Sequence, residues 1–326
     1  MQLPLNPYPI LIFHAALSAL LTYWVLKRRL TLDAANERSS HVGSTPSAGG
    51  IGLVLSLLAG IVYLMPGNWP LVAGLILIGA VSLLDDIRSS SKRLRIATQF
   101  TATLLIVYSA GLLNDANTSK VLISLIAIVW IIGMSNAFNF MDGLDGFAGS
   151  TAIVAGIFLS HIAYNLSIEP AFWLGALIAA TSIGFLIFNW SPAKIFMGDV
   201  GSASLGFLFA AATVTFAPEI PWWVVPMLLL HFVIDTSFTM IRRLLAGENI
   251  TQAHRSHIYQ LLNRSGWSHT KLVILTILLG VLQGIAAVKM LFLQQSQQLL
   301  SAISFVLVYL GMALLVTHLA KHRELF

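Results

Sequence analysis

Long apolar stretches separated by short polar ones set the pattern of this chain. A bilayer crossing takes about 20 mostly apolar residues. By that measure eleven segments qualify, at roughly 8–26, 49–65, 70–84, 95–113, 121–138, 147–165, 170–188, 201–217, 222–241, 271–290 and 299–319. The second, third and eighth are short and lean on their flanks. The expected fold is therefore an all-α polytopic integral membrane protein of about eleven transmembrane helices, with residues 1–326 forming one membrane domain. Composition agrees, since 57% hydrophobic and 10% charged residues leave too little charge to cover a soluble domain.

The first apolar segment has no positive charge before it and Lys27, Arg28 and Arg29 directly after it. A cleaved secretory signal has the reverse polarity, so the expectation is a retained span with its N-terminus outside. Eleven crossings then put the C-terminus in the cytoplasm. Of 18 Lys and Arg, only Lys120 and Lys289 fall outside in this arrangement, as the positive-inside rule requires. The same rule accounts for the formal charge of +5 without a nucleic-acid partner. Membrane lipid headgroups are the natural partners for those basic flanks. With no cysteine, thiolate catalysis and Cys-ligated metals are excluded.

Polar residues concentrate on the expected cytoplasmic side, in loops 27–48, 85–95, 139–146, 189–200 and 242–270. Only Asp115, Glu169 and Glu219 of the 13 carboxylates fall in outside loops. Ionisable groups at the membrane edge are costly unless a cation, water or a ligand receives them, so acids placed there are candidates for function. Asp85 and Asp86 end the third segment, and two adjacent carboxylates call for a cation such as Mg²⁺ or a nearby Lys or Arg. Arg88 neutralising a solvated helix end is the plainer alternative.

Asp142 and Asp145 lie in NAFNFMDGLDGFAG. Their spacing puts both on one face if the segment is helical, whereas Gly143 and Gly146 favour a tight turn, with Asp145 capping the next helix. Asn136 and Asn139 add neutral hydrogen-bonding groups suited to a nucleobase or sugar. Asp199 sits between Gly198 and Gly201, where a helix N-terminus exposes N–H groups that favour phosphate and one carboxylate can hold Mg²⁺. His254, Arg255 and His257 form HRSH, suited to an anion; no third strong ligand follows at zinc spacing. In the first inside loop Asn36, Arg38 and His41 offer donors ahead of the Thr45-Pro46 turn. Asp235 reads as an intramembrane acid paired within the bundle, in a structural or a catalytic role.

The motifs NERSSH…TPSAGG, LLDD, NAFNFMDGLDG, FMGDVGSASLG and HRSH, in this order over about residues 33–270, resemble the polyprenyl-phosphate N-acetylhexosamine-1-phosphate transferases, the superfamily of MraY and WecA within glycosyltransferase family 4. NERSSH and HRSHIYQ look closer to the bacterial O-antigen-initiating branch. The resemblance implies transfer of a sugar-1-phosphate from a UDP-N-acetyl sugar to undecaprenyl phosphate, with Mg²⁺ (Mn²⁺ as a substitute) and release of UMP. It also implies a bacterial inner-membrane enzyme whose site faces the cytoplasm. By position Asp85, Asp86 and Asp199 match the family's metal and phosphate acids, and Asp142 and Asp145 match acids near the nucleotide-sugar. His254, Arg255 and His257 match its histidine loop, and Asn36, Arg38, His41, Asn136 and Asn139 join the substrate-binding candidates. Ser47 and Ala35 depart from the family's usual Arg and Pro, and HRSH from its run of three histidines. The rival readings are a secondary transporter of an anionic or phosphorylated solute and a non-catalytic scaffold; oligomeric state stays open, a homodimer included.

Overall fold

The computed structural model describes residues 1, 5–29, 32–34, 44–88, 90–114, 117–249, 252 and 254–323. Asn36, Arg38 and His41 lie outside the described residues. Thirteen helices are described: α1 Pro7–Arg28, α2 Gly50–Leu64, α3 Trp69–Arg88, α4 Lys92–Ser109, α5 Thr118–Met141, α6 Phe147–Leu166, α7 Glu169–Asn189, α8 Gly198–Thr215, α9 Val224–Leu228, α10 Leu230–Leu245, α11 Ile258–Arg264, α12 His269–Met290 and α13 Gln295–His322. Local chemistry sets several starts. The side chains of Asn6, Ser91, Asn117 and Ser268 accept hydrogen bonds from first-turn N–H groups that the helices leave unsatisfied.

Each of the eleven apolar segments coincides with helix. Seven of the described helices, α1, α3, α5, α6, α7, α12 and α13, are long and apolar enough to cross a membrane, and α2 is a shorter apolar helix of 15 residues. Two departures from a plain bundle stand out. The ninth segment is split at Leu229 into α9 and α10. A two-stranded antiparallel hairpin, β1 Leu32–Ala34 with β2 Ser44–Pro46, precedes α2 with Asp33 opposite Thr45.

Helix α8 is the axis of the molecule. Every residue from Val200 to Ala212 is buried, which its Gly, Ala and Ser content allows by letting neighbouring backbones come close. Helices α2, α3, α4 and α5 pack around it. At its start α2 approaches so near that a Cβ on Gly50 would lie 2.7 Å from the Met197 carbonyl oxygen.

A chain of aromatic rings runs from this core towards the loops. Phe138 lies 5.8 Å from Phe209 and 4.9 Å from Phe232; Phe232 stacks on Phe147 at 5.6 Å, and Phe147 on Tyr259 at 4.9 Å. Phe138 is fully buried at the junction of α5, α8 and α10. Phe138→Ala should therefore destabilise the bundle by about 3 kcal/mol or more through the cavity left behind. Unfolding in detergent is the measurement, and an unchanged midpoint would show that the ring chain carries no packing energy.

Candidate active site at the carboxylate cluster

The polar centre is assembled from the ends of α3, α4, α5 and α8. The segment after β2 runs alongside the approach to α8: Phe196 N–H donates to Pro46 O (2.8 Å), Gly49 N–H to Phe196 O (2.9 Å) and Gly50 N–H to Met197 O (2.8 Å). This pairing presents the first turn of α8 to the last turn of α3. There Asp86 accepts from the backbone N–H groups of Asp199 (2.9 Å) and Val200 (3.1 Å). Free N–H groups and the positive end of the helix dipole favour a carboxylate at this place. Gly198 makes the contact feasible. Its φ is +72°, and a Cβ there would stand 2.7 Å from Asp86 Oδ2 and 2.9 Å from Ala48 N.

The helix start expected to cradle phosphate thus already gives two of its N–H groups to Asp86. Asp85 turns the other way, accepting from Ser90 N–H (2.5 Å) and from Arg95 (2.6 Å). Arg95 also reaches Asp199 Oδ2 at 3.5 Å, so one guanidinium bridges two of the acids. Asp199 Oδ1 accepts from Asn139 Nδ2 at 2.6 Å, and the same amide lies 3.1 Å from Ser202 Oγ. Asn136 pairs instead with Gln99, its Nδ2 3.1 Å from Gln99 Oε1. Of the two asparagines assigned to substrate, one orients Asp199 and the other ties α5 to α4.

Asp142 and Asp145 do not share a helical face. α5 stops at Met141, and the acids occupy a turn that leads into α6 through Gly146 at φ +76°. Nor does Asp145 cap α6, whose N-cap is Gly146. Asp145 lies 3.3 Å from His269 Nδ1 and accepts from Ala193 N–H (3.2 Å), so it fastens the 189–197 loop to α12. Burial pushes its carboxyl up, but these hydrogen bonds prevail and hold it below the usual carboxylate range. The next residue is fastened too: Gly146 N–H donates to Asn189 Oδ1 (3.0 Å), and Asn189 Nδ2 to Ile195 O (2.9 Å).

Asp142 has the opposite fate. Among the described residues no hydrogen bond or ion pair reaches its carboxylate. Burial, followed by the charges of Asp199, Asp86 and Asp145, drives its pKa well above the ordinary value. The site therefore has an acid whose ionisation is disfavoured by burial and by its acidic neighbours.

The HRSH segment comes alongside through Asp235. On α10, Asp235 Oδ1 lies 3.0 Å from His257 Nδ1 and accepts from Ile258 N–H (2.9 Å), while Oδ2 accepts from Tyr259 N–H (3.0 Å). Asp235 is thus the anionic cap of α11, a structural assignment that sequence alone left open. Tyr259 then donates its hydroxyl to Phe140 O (2.9 Å), tying HRSH to the Asp142 turn. His254 and His257 precede or cap α11 rather than lie along it, yet their rings are 4.8 Å apart. Burial, then His257 and Arg243, push His254 down to about 4, so it is neutral near pH 7 and not the positive charge expected of it. Arg242 donates to Ser256 O (2.8 Å), steadying the loop from α10.

Arg95, Gln99, His269 and Asn189 were not singled out from sequence. Arg95 was absorbed by the positive-inside tally. Its spacing of four from Gln99 on a helix beginning beside the acids was the available signal.

A glycosyl transferase family 4 profile matches residues 68–217, the stretch from α3 to the end of α8. Together with the carboxylate cluster and the apolar bundle, this match makes the chain similar to the polyprenyl-phosphate hexosamine-1-phosphate transferase superfamily. Among its relatives, a probable undecaprenyl-phosphate N-acetylglucosaminyl 1-phosphate transferase of Bacillus subtilis is 28% identical over 79% of this chain and 76% of its own. A decaprenyl-phosphate N-acetylglucosaminephosphotransferase of Mycobacterium leprae is 29% identical over 79% of this chain and 78% of its own. A phospho-N-acetylmuramoyl-pentapeptide-transferase of Lactiplantibacillus plantarum is 28% identical over 75% and 83%.

The Asp142 environment yields a test with a definite sign. A carboxyl whose folded pKa is raised costs stability as pH climbs from its ordinary value of about 4 towards the folded one. Asp142→Asn should therefore raise the melting temperature at pH 8 in EDTA, with the gain disappearing near pH 4. Equal gains at both pH values would refute the assignment.

Proposed function

We propose that this protein transfers an N-acetylhexosamine-1-phosphate from a UDP-sugar to undecaprenyl phosphate, releasing UMP and starting a lipid-linked cell-envelope glycan such as an O-antigen. The observation that carries the reading is the mutual proximity of Asp86, Asp142 and Asp199, with Asp85 beside them and Arg95 reaching Asp85 and Asp199. Clustered acids make a locally anionic pocket, yet the reaction must bring two further anions into it. A divalent cation resolves that conflict. The donor set suits Mg²⁺, with Mn²⁺ as a substitute, because Asp142 is unpaired among the described residues and Asp199 Oδ2 meets Arg95 at a long 3.5 Å, with the Asp85 carboxylate beside it. Asp142 and Asp199 would hold it, with substrate phosphates and water completing the shell. Bound there, the metal supplies Lewis-acid neutralisation of the diphosphate.

Every other task falls to the chain. An oxygen of the lipid phosphate attacks the sugar-linked phosphorus; the bond from that phosphorus to the bridging oxygen breaks, and UMP leaves with the electron pair. The lipid phosphate needs no proton removed near neutral pH. Asp85 and Asp86 accordingly act by position: Asp85 sets Arg95, and Asp86 sets the start of α8. Arg95 and Arg255 meet phosphate oxygens, and His254 donates a hydrogen bond as a neutral imidazole. His257, held by Asp235, keeps the loop in place.

The names of the relatives support the acceptor and sugar classes. The basic flanks support eleven spans with the N-terminus outside and the site at the cytoplasmic face of a bacterial inner membrane. A broken ninth helix is a feature shared with secondary transporters, but the acids gather at helix ends rather than mid-span, which favours a transferase.

Purified protein incubated with undecaprenyl phosphate, Mg²⁺ and a panel of UDP-N-acetyl sugars should release UMP. Release should be abolished by EDTA and fall by about 10²–10³ in Asp199→Asn, the scale for losing an electrostatic group at a reacting centre. Undiminished turnover in EDTA would refute the metal assignment, and lipid-independent release would refute the acceptor.

A further inference from the structure

The break between α9 and α10 leaves backbone groups inside the bundle without helical partners. In a lipid environment such groups must be satisfied by protein, or the break is not tolerated. One side chain does this. Gln283, fully buried on α12, has its amide satisfied on both sides when Nε2 donates to Leu228 O (3.1 Å) and His231 Nδ1 (2.9 Å) while Oε1 accepts from His231 N–H (3.2 Å) and Tyr309 O–H (2.5 Å). His231, left with its proton on Nε2, turns that nitrogen to Thr151 Oγ1 at 3.4 Å. A single amide thus bridges the last carbonyl of α9 and an early N–H of α10, and binds α13 as well.

The direction of α10 matters to the site. Asp235 stands one turn beyond His231, and its two oxygens hold His257, Ile258 and Tyr259. Tyr259 in turn bonds Phe140 O beside Asp142. A change in the angle of α10 would carry Asp235 away from three donors at once. Gly143 cannot compensate, because Tyr259 lies directly against it with no space for a side chain.

We propose that Gln283 is a positioning residue for the HRSH loop, acting through the break in the ninth membrane segment. It stands far from the reacting atoms in sequence and touches none of the clustered acids; its effect is to fix where Asp235 presents α11. The catalytic consequence rests on the proposed function, in which that loop meets the substrate phosphates. The structural consequence does not.

The test uses the full-length protein in nanodiscs with Gln283→Leu, and with Gln283→Glu and Tyr309→Phe as milder variants. Gln283→Leu leaves Leu228 O and His231 N–H without their partner. Gln283→Glu keeps an acceptor for Tyr309 O–H and His231 N–H, and Tyr309→Phe removes one bond only. Hydrogen exchange at residues 254–264 should quicken by about tenfold in Gln283→Leu, the factor expected for losing one buried hydrogen bond. It should quicken less in the milder variants, with α1–α7 unaffected. In turnover of UDP-N-acetylglucosamine, KM should rise more than kcat falls. Gln283→Leu added to Asp235→Asn should cost less than twofold further, because both act on the same loop.

Faster exchange confined to α12 and α13, with 254–264 unchanged, would overturn the inference; so would fully multiplicative effects of the two substitutions. Exchange reads the loop without turnover. An inactive wild type with a loosened loop in Gln283→Leu would therefore sink the proposed reaction and leave this positioning role standing.

Discussion

The carboxylate of Asp86 on the first N–H groups of α8 is the contact on which the site depends. It closes the last turn of one helix onto the first turn of another through two backbone N–H groups at the positive end of the α8 dipole. Once it forms, Gly198 must be glycine, the 45–50 segment must run beside 196–198, and Asp199 must face Arg95 and Asn139. A neutral capping residue could satisfy the same N–H groups. It would not balance Arg95 in the way that the adjacent Asp85 and Asp86 pair does.

The acids divide by how much of their hydrogen-bonding capacity is already used. Asp85, Asp86, Asp145 and Asp235 are spent on Arg95, the start of α8, the 189–197 loop and the start of α11. Asp142 is held where ionisation is unfavourable, and Asp199 is steadied by Asn139 and, more distantly, by Arg95. Under the proposed function, a bound cation would relieve this electrostatic strain and so couple ligand binding to local stability through the same two groups.

Much of this was legible in the chain. Apolar length located every helix but the short α11 in the last inside loop, and the end-of-helix acids marked the place where the site assembles, because charge next to a membrane is rare without a purpose. What could not be read was direction. The spacing of Asp142 and Asp145 fits a helix as well as a turn, and only the chain reversal before Phe147 sends them to different surroundings. Asn136 and Asn139, three residues apart, point at Gln99 and Asp199 for reasons set by neighbouring helices. Arg95 looked like a topology signal, and Gln283 like a stray polar residue in an apolar run. The split at Leu229 was hidden because the run from Trp222 to Ile234 is apolar but for Pro226 and His231.

The pairing of Asp86 with Asp199 N–H spans 113 positions of sequence. Ribosomes add about 5–20 residues per second. The two adjacent acids at the end of α3 thus emerge on the order of ten seconds before the helix that receives one of them is made. During that interval Asp85 and Asp86 are without the helix start, with Arg88, Lys92, Arg93 and Arg95 the counterweights on the same stretch of chain. Until α8 is made, these basic neighbours are the opposite charges closest along the chain to the LLDD acids.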